Sequence, residues 1–137
     1  MAEIPCVGAI VFDDRGRLLL VKRANPPAQG LWSLPGGRQE PGESAHEGVV
    51  REVAEETGLH VRVEREVGTV IRLAPSGDDY VIRDFVCLME GDAKLVAADD
   101  AADAGFFAVA ELSDLPTSEG LLEALNEWNL LDVAPST

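Results

Sequence analysis

The stretch Gly37-Arg38-Gln39-Glu40-Pro41-Gly42-Glu43-Ser44-Ala45-His46-Glu47-Gly48-Val49-Val50-Arg51-Glu52-Val53-Ala54-Glu55-Glu56-Thr57-Gly58-Leu59 decides how this chain is read. Ser44-Ala45-His46-Glu47 is a capping box. In such a box the serine hydroxyl accepts an orphan backbone N–H, and the glutamate side chain reaches back to the N–H of the cap residue. It predicts a helix beginning at about Ala45. Gly58, which takes the left-handed conformation at low cost, is a natural C-terminal stop. At 3.6 residues per turn, Ala45, Val49, Val50, Val53 and Ala54 share one half of the helix and are expected to face the core. Glu52, Glu55 and Glu56, at i, i+3 and i+4, cluster on a neighbouring face with Gly48 among them.

That arrangement costs stability. Like charges at this spacing cost roughly 0.2–0.5 kcal/mol per pair, and a mid-helix glycine about 0.5–1 kcal/mol relative to alanine. Three carboxylates around a position with no side chain make sense if a cation sits there and other backbone comes close. Hard divalent cations take oxygen ligands, and Mg²⁺ binds through one or two carboxylates, waters and substrate phosphates. The competing reading is a solvated acidic helix face.

Gly37, Glu43 six positions on, Arg51-Glu52-Val53, Glu55-Glu56 and Gly58-Leu59 fill every fixed position of the Nudix box. Over residues 37–59 the chain resembles the Nudix hydrolases, enzymes that cut a nucleoside diphosphate linked to another group. The resemblance implies an α/β chain of the Nudix fold, an α/β/α sandwich with a central mixed β-sheet. It further implies that Glu52, Glu55 and Glu56 are carboxylate ligands of Mg²⁺, with Mn²⁺ able to take its place. The backbone carbonyl of Gly36 would complete the metal shell. By the same resemblance Arg51 pairs with Glu43 and joins the catalytic set as a scaffold residue. Glu52 and Glu55 are the catalytic candidates for taking the proton of the attacking water. Asp99, Asp100 and Asp103 lie where relatives often place a late glutamate; the shorter aspartate arm favours the box instead.

Upstream, Leu31-Trp32-Ser33-Leu34-Pro35-Gly36-Gly37 reads as a short strand running into a tight Gly-Gly turn, its carbonyls pointing toward the start of the glutamate helix. Residues 4–12 and 18–23 are apolar, β-rich runs around Asp13-Asp14-Arg15-Gly16-Arg17, which suggests a hairpin. Residues 25–30 form a loop. Strands are expected over 61–73 and 80–89, around the turn-forming Pro75-Ser76-Gly77-Asp78-Asp79. Residues 92–103 are polar, 105–109 read as a short buried strand, and Leu121, Leu122, Leu125 and Trp128 form one stripe of a final helix. Without an internal repeat or a dividing linker, residues 1–137 read as a single domain.

The chain has 25 acidic and 11 basic residues, a formal charge of −14. Such a surface repels nucleic acid polymers. A small anionic substrate is repelled as well unless bound divalent cations reverse the field locally. A high-salt habitat would also account for the acidity. Cys6 and Cys87 are too few and too far apart for a metal or redox motif, and read as buried reduced thiols of a cytoplasmic protein. The N-terminus has no basic region before its apolar stretch, which argues against a signal peptide. No apolar run reaches the ~18 residues of a membrane span. His46 and His60 share no ligand spacing and read as surface residues.

Arg23, Arg72 and Arg83 are candidate phosphate or base contacts, because a guanidinium matches phosphate in a bidentate fork. Trp32 and Phe85 are aromatics able to stack on a base, with core packing favoured for Phe85. Arg23, Trp32 and Arg83 make up the expected substrate-binding set. The expected activity is that of a Mg-dependent pyrophosphohydrolase acting on a small-molecule nucleotide. A nucleoside triphosphate, oxidised forms included, and ADP-ribose or another NDP-sugar are the two substrate classes. The shortness of the chain favours the first. An isoprenoid diphosphate isomerase would want a catalytic cysteine near the box and is set aside. A catalytically inactive nucleotide-sensing module is the alternative, against which all the box glutamates stand. A homodimer is left open.

Overall fold

In the computed structural model, which describes residues 2–25, 29–91, 94–96 and 101–131, two helices flank the strands. The order is β1 (Glu3–Val11), β2 (Leu18–Arg23), β3 (Trp32–Ser33), β4 (Gly36–Arg38), α1 (Ala45–Thr57), β5 (His60–Leu73), β6 (Asp79–Glu90), β7 (Ala101–Phe107) and α2 (Leu121–Glu127), with a 3₁₀ turn at Val109–Asp114 before α2. Alternation along the strands sets the layers. Val7, Ala9 and Val11 of β1 and Phe85 and Cys87 of β6 pack with Ala45, Val49 and Val53 of α1. Their neighbours Ile10 and Val86 join Leu121 and Leu125 of α2 in a second core. Strands buried on both faces read as unbroken apolar runs rather than alternating ones, as residues 7–11 do. The result is an α/β/α sandwich.

The central sheet has the order β4-β1-β6-β5; β1 and β6 are parallel and the other pairs antiparallel, so it is mixed. A second, antiparallel sheet has the order β3-β2-β7. One row crosses the whole central sheet in register: Gly36 opposite Gly8, Gly8 opposite Asp84, and Asp84 opposite Gly68. At the far edge Trp128 packs onto Gly68, where a Cβ would stand 2.6 Å from the indole Nε1. β5 accommodates that edge with two irregularities, between Val63 and Arg65 and between Glu66 and Gly68.

Three expectations change. β1 and β2 do not form a hairpin, since they share only the bridge Phe12–Leu18 and then part into different sheets. The turn between them is tight nonetheless, held by backbone N–H groups of Arg15 and Arg17 on the Asp13 carboxylate, with Gly16 at φ +74°. Gly36 and Gly37 do not turn; they are strand residues of β4. A Cβ on Gly36 would fall on the Val7 carbonyl, so Gly36 serves close backbone approach rather than chain reversal. The strand expected at 105–109 begins at Ala101 and ends at Phe107, because β7 is an edge strand that exposes polar residues such as Asp103, opposite Lys22. Asp99, Asp100 and residues 26–28 of the expected loop lie outside the described residues.

Candidate active site

Helix α1 forms as its caps dictate. Ser44 Oγ accepts from the Glu47 N–H at 3.0 Å, Glu47 Oε1 accepts from the Ser44 N–H at 2.8 Å, and Gly58 closes the helix at φ +74°. Ala45, Val49 and Val53 are buried and Val50 packs against the same core, while Ala54 is half-buried.

The polar face is organised by Arg51. Its Nε donates to Glu43 Oε2 at 2.6 Å and its Nη2 to Glu43 Oε1 at 3.0 Å, a bidentate fork. Nη1 donates to Glu52 Oε2 at 3.1 Å and Glu55 Oε1 at 3.0 Å, and Nη2 also to the Arg38 carbonyl at 3.0 Å. One guanidinium thus links the box loop, β4 and two of the clustered glutamates. The hydrogen bond from Arg51 holds the Glu43 carboxyl below its ordinary range, and the same bond raises Arg51. Burial pushes Glu52 up, against the pull of Arg51.

Glycines make room for these carboxylates. A Cβ on Gly37 would stand 2.6 Å from Glu52 Oε2, and one on Gly48 would stand 3.0 Å from Glu43 Oε1. Glu56 is buried, with Oε1 accepting the Gly36 N–H at 2.8 Å. Gly36 therefore meets the cluster through its N–H here, whereas the expectation concerned its carbonyl.

Among the described residues no three His, Cys, Asp or Glu side chains stand ready to hold a metal as they are. Arg51 draws Glu52 and Glu55, and Gly36 holds Glu56. The donor chemistry still fits a hard divalent cation: three carboxylates and a nearby backbone carbonyl are all oxygen donors. Holding one would require Glu52 and Glu55 to share their oxygens between it and Arg51.

A cavity of about 910 Å³ lies between the two sheets and α2. Glu52, Glu55 and Glu56 border it near β4, and Trp128 borders it near β5, the opposite edge of the central sheet. Arg23 and Arg72 line it. Arg72 is steadied by the Glu119 carbonyl at 3.1 Å. Arg83 is not among the lining residues: it makes a bidentate pair with Glu66 at 2.9 Å and lies over the Phe85 ring. Trp32 is also absent from the lining, although Leu31 and Ser33 belong to it; its ring packs edge-on against Phe107 at 4.9 Å. Phe85 is wholly buried in the α1-side core. Cys6 and Cys87 are buried free thiols, pushed by burial to about 11 and about 12. His46 and His60 are exposed. No helix among the described residues is long and apolar enough to cross a membrane.

Sequence reasoning missed Asp84, which is 3% exposed and lines the cavity. The signal was present: an acidic residue on the inward period of the apolar run Tyr80-Val81-Ile82-Arg83-Asp84-Phe85-Val86-Cys87.

A family model described as NUDIX domain matches residues 3–127. An ADP-ribose pyrophosphatase of Methanocaldococcus jannaschii is 39% identical over 108 residues, covering 77% of this chain and 61% of that protein. The 8-oxo-dGDP phosphatase NUDT18 of Homo sapiens is 34% identical over 96 residues, covering 70% of this chain and 28% of that protein. The crystal structure of a MutT NUDIX hydrolase from Burkholderia pseudomallei superposes with a TM-score of 0.73 at 28% identity, covering 92% of this chain and 98% of that one. The chain thus spans less than two thirds of the length of these curated relatives.

Proposed function

The chain belongs to the NUDIX domain family, and from that premise we propose that it is a divalent-metal-dependent pyrophosphohydrolase, formed as one domain, that cleaves the diphosphate of a nucleotide. The substrate classes are nucleoside triphosphates, oxidised forms included, and ADP-ribose or a similar NDP-sugar. The observation that carries the proposal is the Arg51 network, which gathers Glu43, Glu52 and Glu55 at the border of a nucleotide-sized cavity. The name of the archaeal relative supports the ADP-ribose class, and that of the human one supports an oxidised guanine nucleotide as substrate.

Glu52, Glu55 and Glu56, with the Gly36 carbonyl, would hold the metal, and Mg²⁺ is the ion we assign. When bound, the metal neutralises charge on the diphosphate and acidifies a water. The chain's own residues do the rest. Arg51 fixes Glu52 through Oε2, leaving Oε1 to take the proton of the attacking water, with Glu55 as the second candidate. Arg51 itself positions Glu43, Glu52 and Glu55. Arg23 and Arg72 border the cavity as cations for the substrate's phosphates. The buried, unpaired thiols support a reducing, cytoplasmic setting.

The test is a panel of ADP-ribose, NDP-sugars, dinucleoside polyphosphates and nucleoside triphosphates, assayed with Mg²⁺ and with chelator. Wild type should release AMP, another nucleoside monophosphate or pyrophosphate only with metal, and Glu56→Gln should lose most of that turnover, on the order of 100-fold or more. Metal-independent binding without turnover of any member would instead identify a nucleotide sensor.

A further inference from the structure

Asp84 is the one side chain in a cross-strand row otherwise made of Gly36, Gly8 and Gly68. It is 3% exposed, it lines the cavity, and no described residue gives it a hydrogen bond or ion pair. Among the described residues no fully enclosed polar side-chain atom is without a partner, so the Asp84 oxygens open to the cavity instead of being sealed beneath it. Gly8 provides the space: a Cβ there would fall on Asp84 Oδ1. A carboxylate buried without a donor opposes folding. Packing does not ask for it either, since Val86 and Ile82 on the same face of β6 are apolar. Such unmet hydrogen-bonding capacity in a cavity is directed at a ligand.

Position narrows the ligand. Gly36, against Glu56, is two strands from Asp84, about 10 Å by ordinary strand spacing. A nucleotide whose diphosphate lies at the glutamates therefore reaches Asp84 with its base. On the next strand the Trp128 indole packs over Gly68 and borders the same cavity, an aromatic surface for a planar ring. We infer that Asp84 is the specificity residue for the nucleobase, its carboxylate accepting two adjacent N–H groups, as the ring N–H and exocyclic amino group of a guanine-type base present them. Above about pH 7, where this buried carboxyl is ionised, it only accepts. An adenine edge offers one amino donor beside a ring acceptor, so one carboxylate oxygen would face a lone pair. The inference rests on the proposed function for where the diphosphate lies.

Asp84→Asn keeps the shape and exchanges one acceptor for a donor. At pH 8.5, where Asp84 is ionised, the substitution is expected to lower the ratio of kcat/KM for dGTP over dATP roughly 10- to 100-fold, with no loss of melting temperature. An unchanged ratio overturns the inference. Titration with GMP and AMP, followed by tryptophan fluorescence, reads the base preference without turnover. Wild type should bind GMP more tightly and the variant should lose that preference. If wild type hydrolyses nothing yet shows Asp84-dependent preference for GMP, the hydrolase reading fails and this inference stands. Turnover together with equal GMP and AMP binding overturns this inference alone.

Discussion

Arg51 makes five hydrogen bonds to Glu43, Glu52, Glu55 and the Arg38 carbonyl, and only a planar, five-donor group can serve them all. A single side chain thereby offsets the repulsion that clustered glutamates bring to α1. Asp84 has no such partner. Burial pushes its carboxyl up to about 7, against a smaller opposing pull from Arg72 on β5, while Gly8 and Gly68 on the flanking strands bring no side chain. Its ordinary value is 3.8, so the native state binds this proton more tightly than the unfolded chain. The stability Asp84 contributes is then fully present below about pH 4 and is lost as pH rises through about 7. Asp84→Asn should therefore gain melting temperature over wild type at pH 8, by the equivalent of a few kcal/mol at most, and gain less at pH 4.5. Melting curves of both proteins at the two pH values check this; a gain that shrinks as pH rises would contradict it.

Among the elements, α1 was almost wholly legible because its signals are local: the Ser44–Glu47 box, the Gly58 stop and the valine stripe each act within a few residues. Gly48 was legible only as an anomaly. Its reason is tertiary, the Glu43 carboxylate that fills the place of a Cβ at 3.0 Å. Gly48→Ala, which in an ordinary helix interior stabilises by about 0.5–1 kcal/mol, should here give no gain in melting temperature. It should also lower kcat/KM, because Glu43 is pinned by Arg51 and the Glu40 N–H and cannot withdraw. Clear stabilisation with unchanged activity would show that Glu43 yields. The strands were less legible for the same reason. Residues 4–12 and 18–23 announce β-structure, but their parting into two sheets depends on partners far along the chain, β6 for one and β7 for the other. The Gly36-Gly37 pair looks like a turn locally and is a strand because Val7 and Gly8 lie against it. Of the substrate-binding residues, Arg23 comes to the cavity while Arg83 and Trp32 find protein partners elsewhere. No local signal separates such cases.

For the whole molecule the net charge of −14 sets the background. Self-repulsion of that size opposes the compact state and is screened by salt. The melting temperature should thus rise as KCl increases from about 20 to 200 mM, across which the Debye length falls severalfold toward contact distances. Millimolar Mg²⁺ should add a further rise, and Glu56→Gln should reduce that Mg²⁺-specific part without altering the response to KCl. Parallel thermal scans of both proteins separate the two contributions, and an equal Mg²⁺ response in both would remove Glu56 from the ion's surroundings. The glycine row has a thermodynamic corollary. Along that line the central sheet contributes no apolar side chain of its own, Asp84 being its one side chain, so an aromatic guest seated there becomes a surrogate for missing interior. Its arrival should register in calorimetry as a negative heat-capacity change, the mark of dehydrated apolar surface.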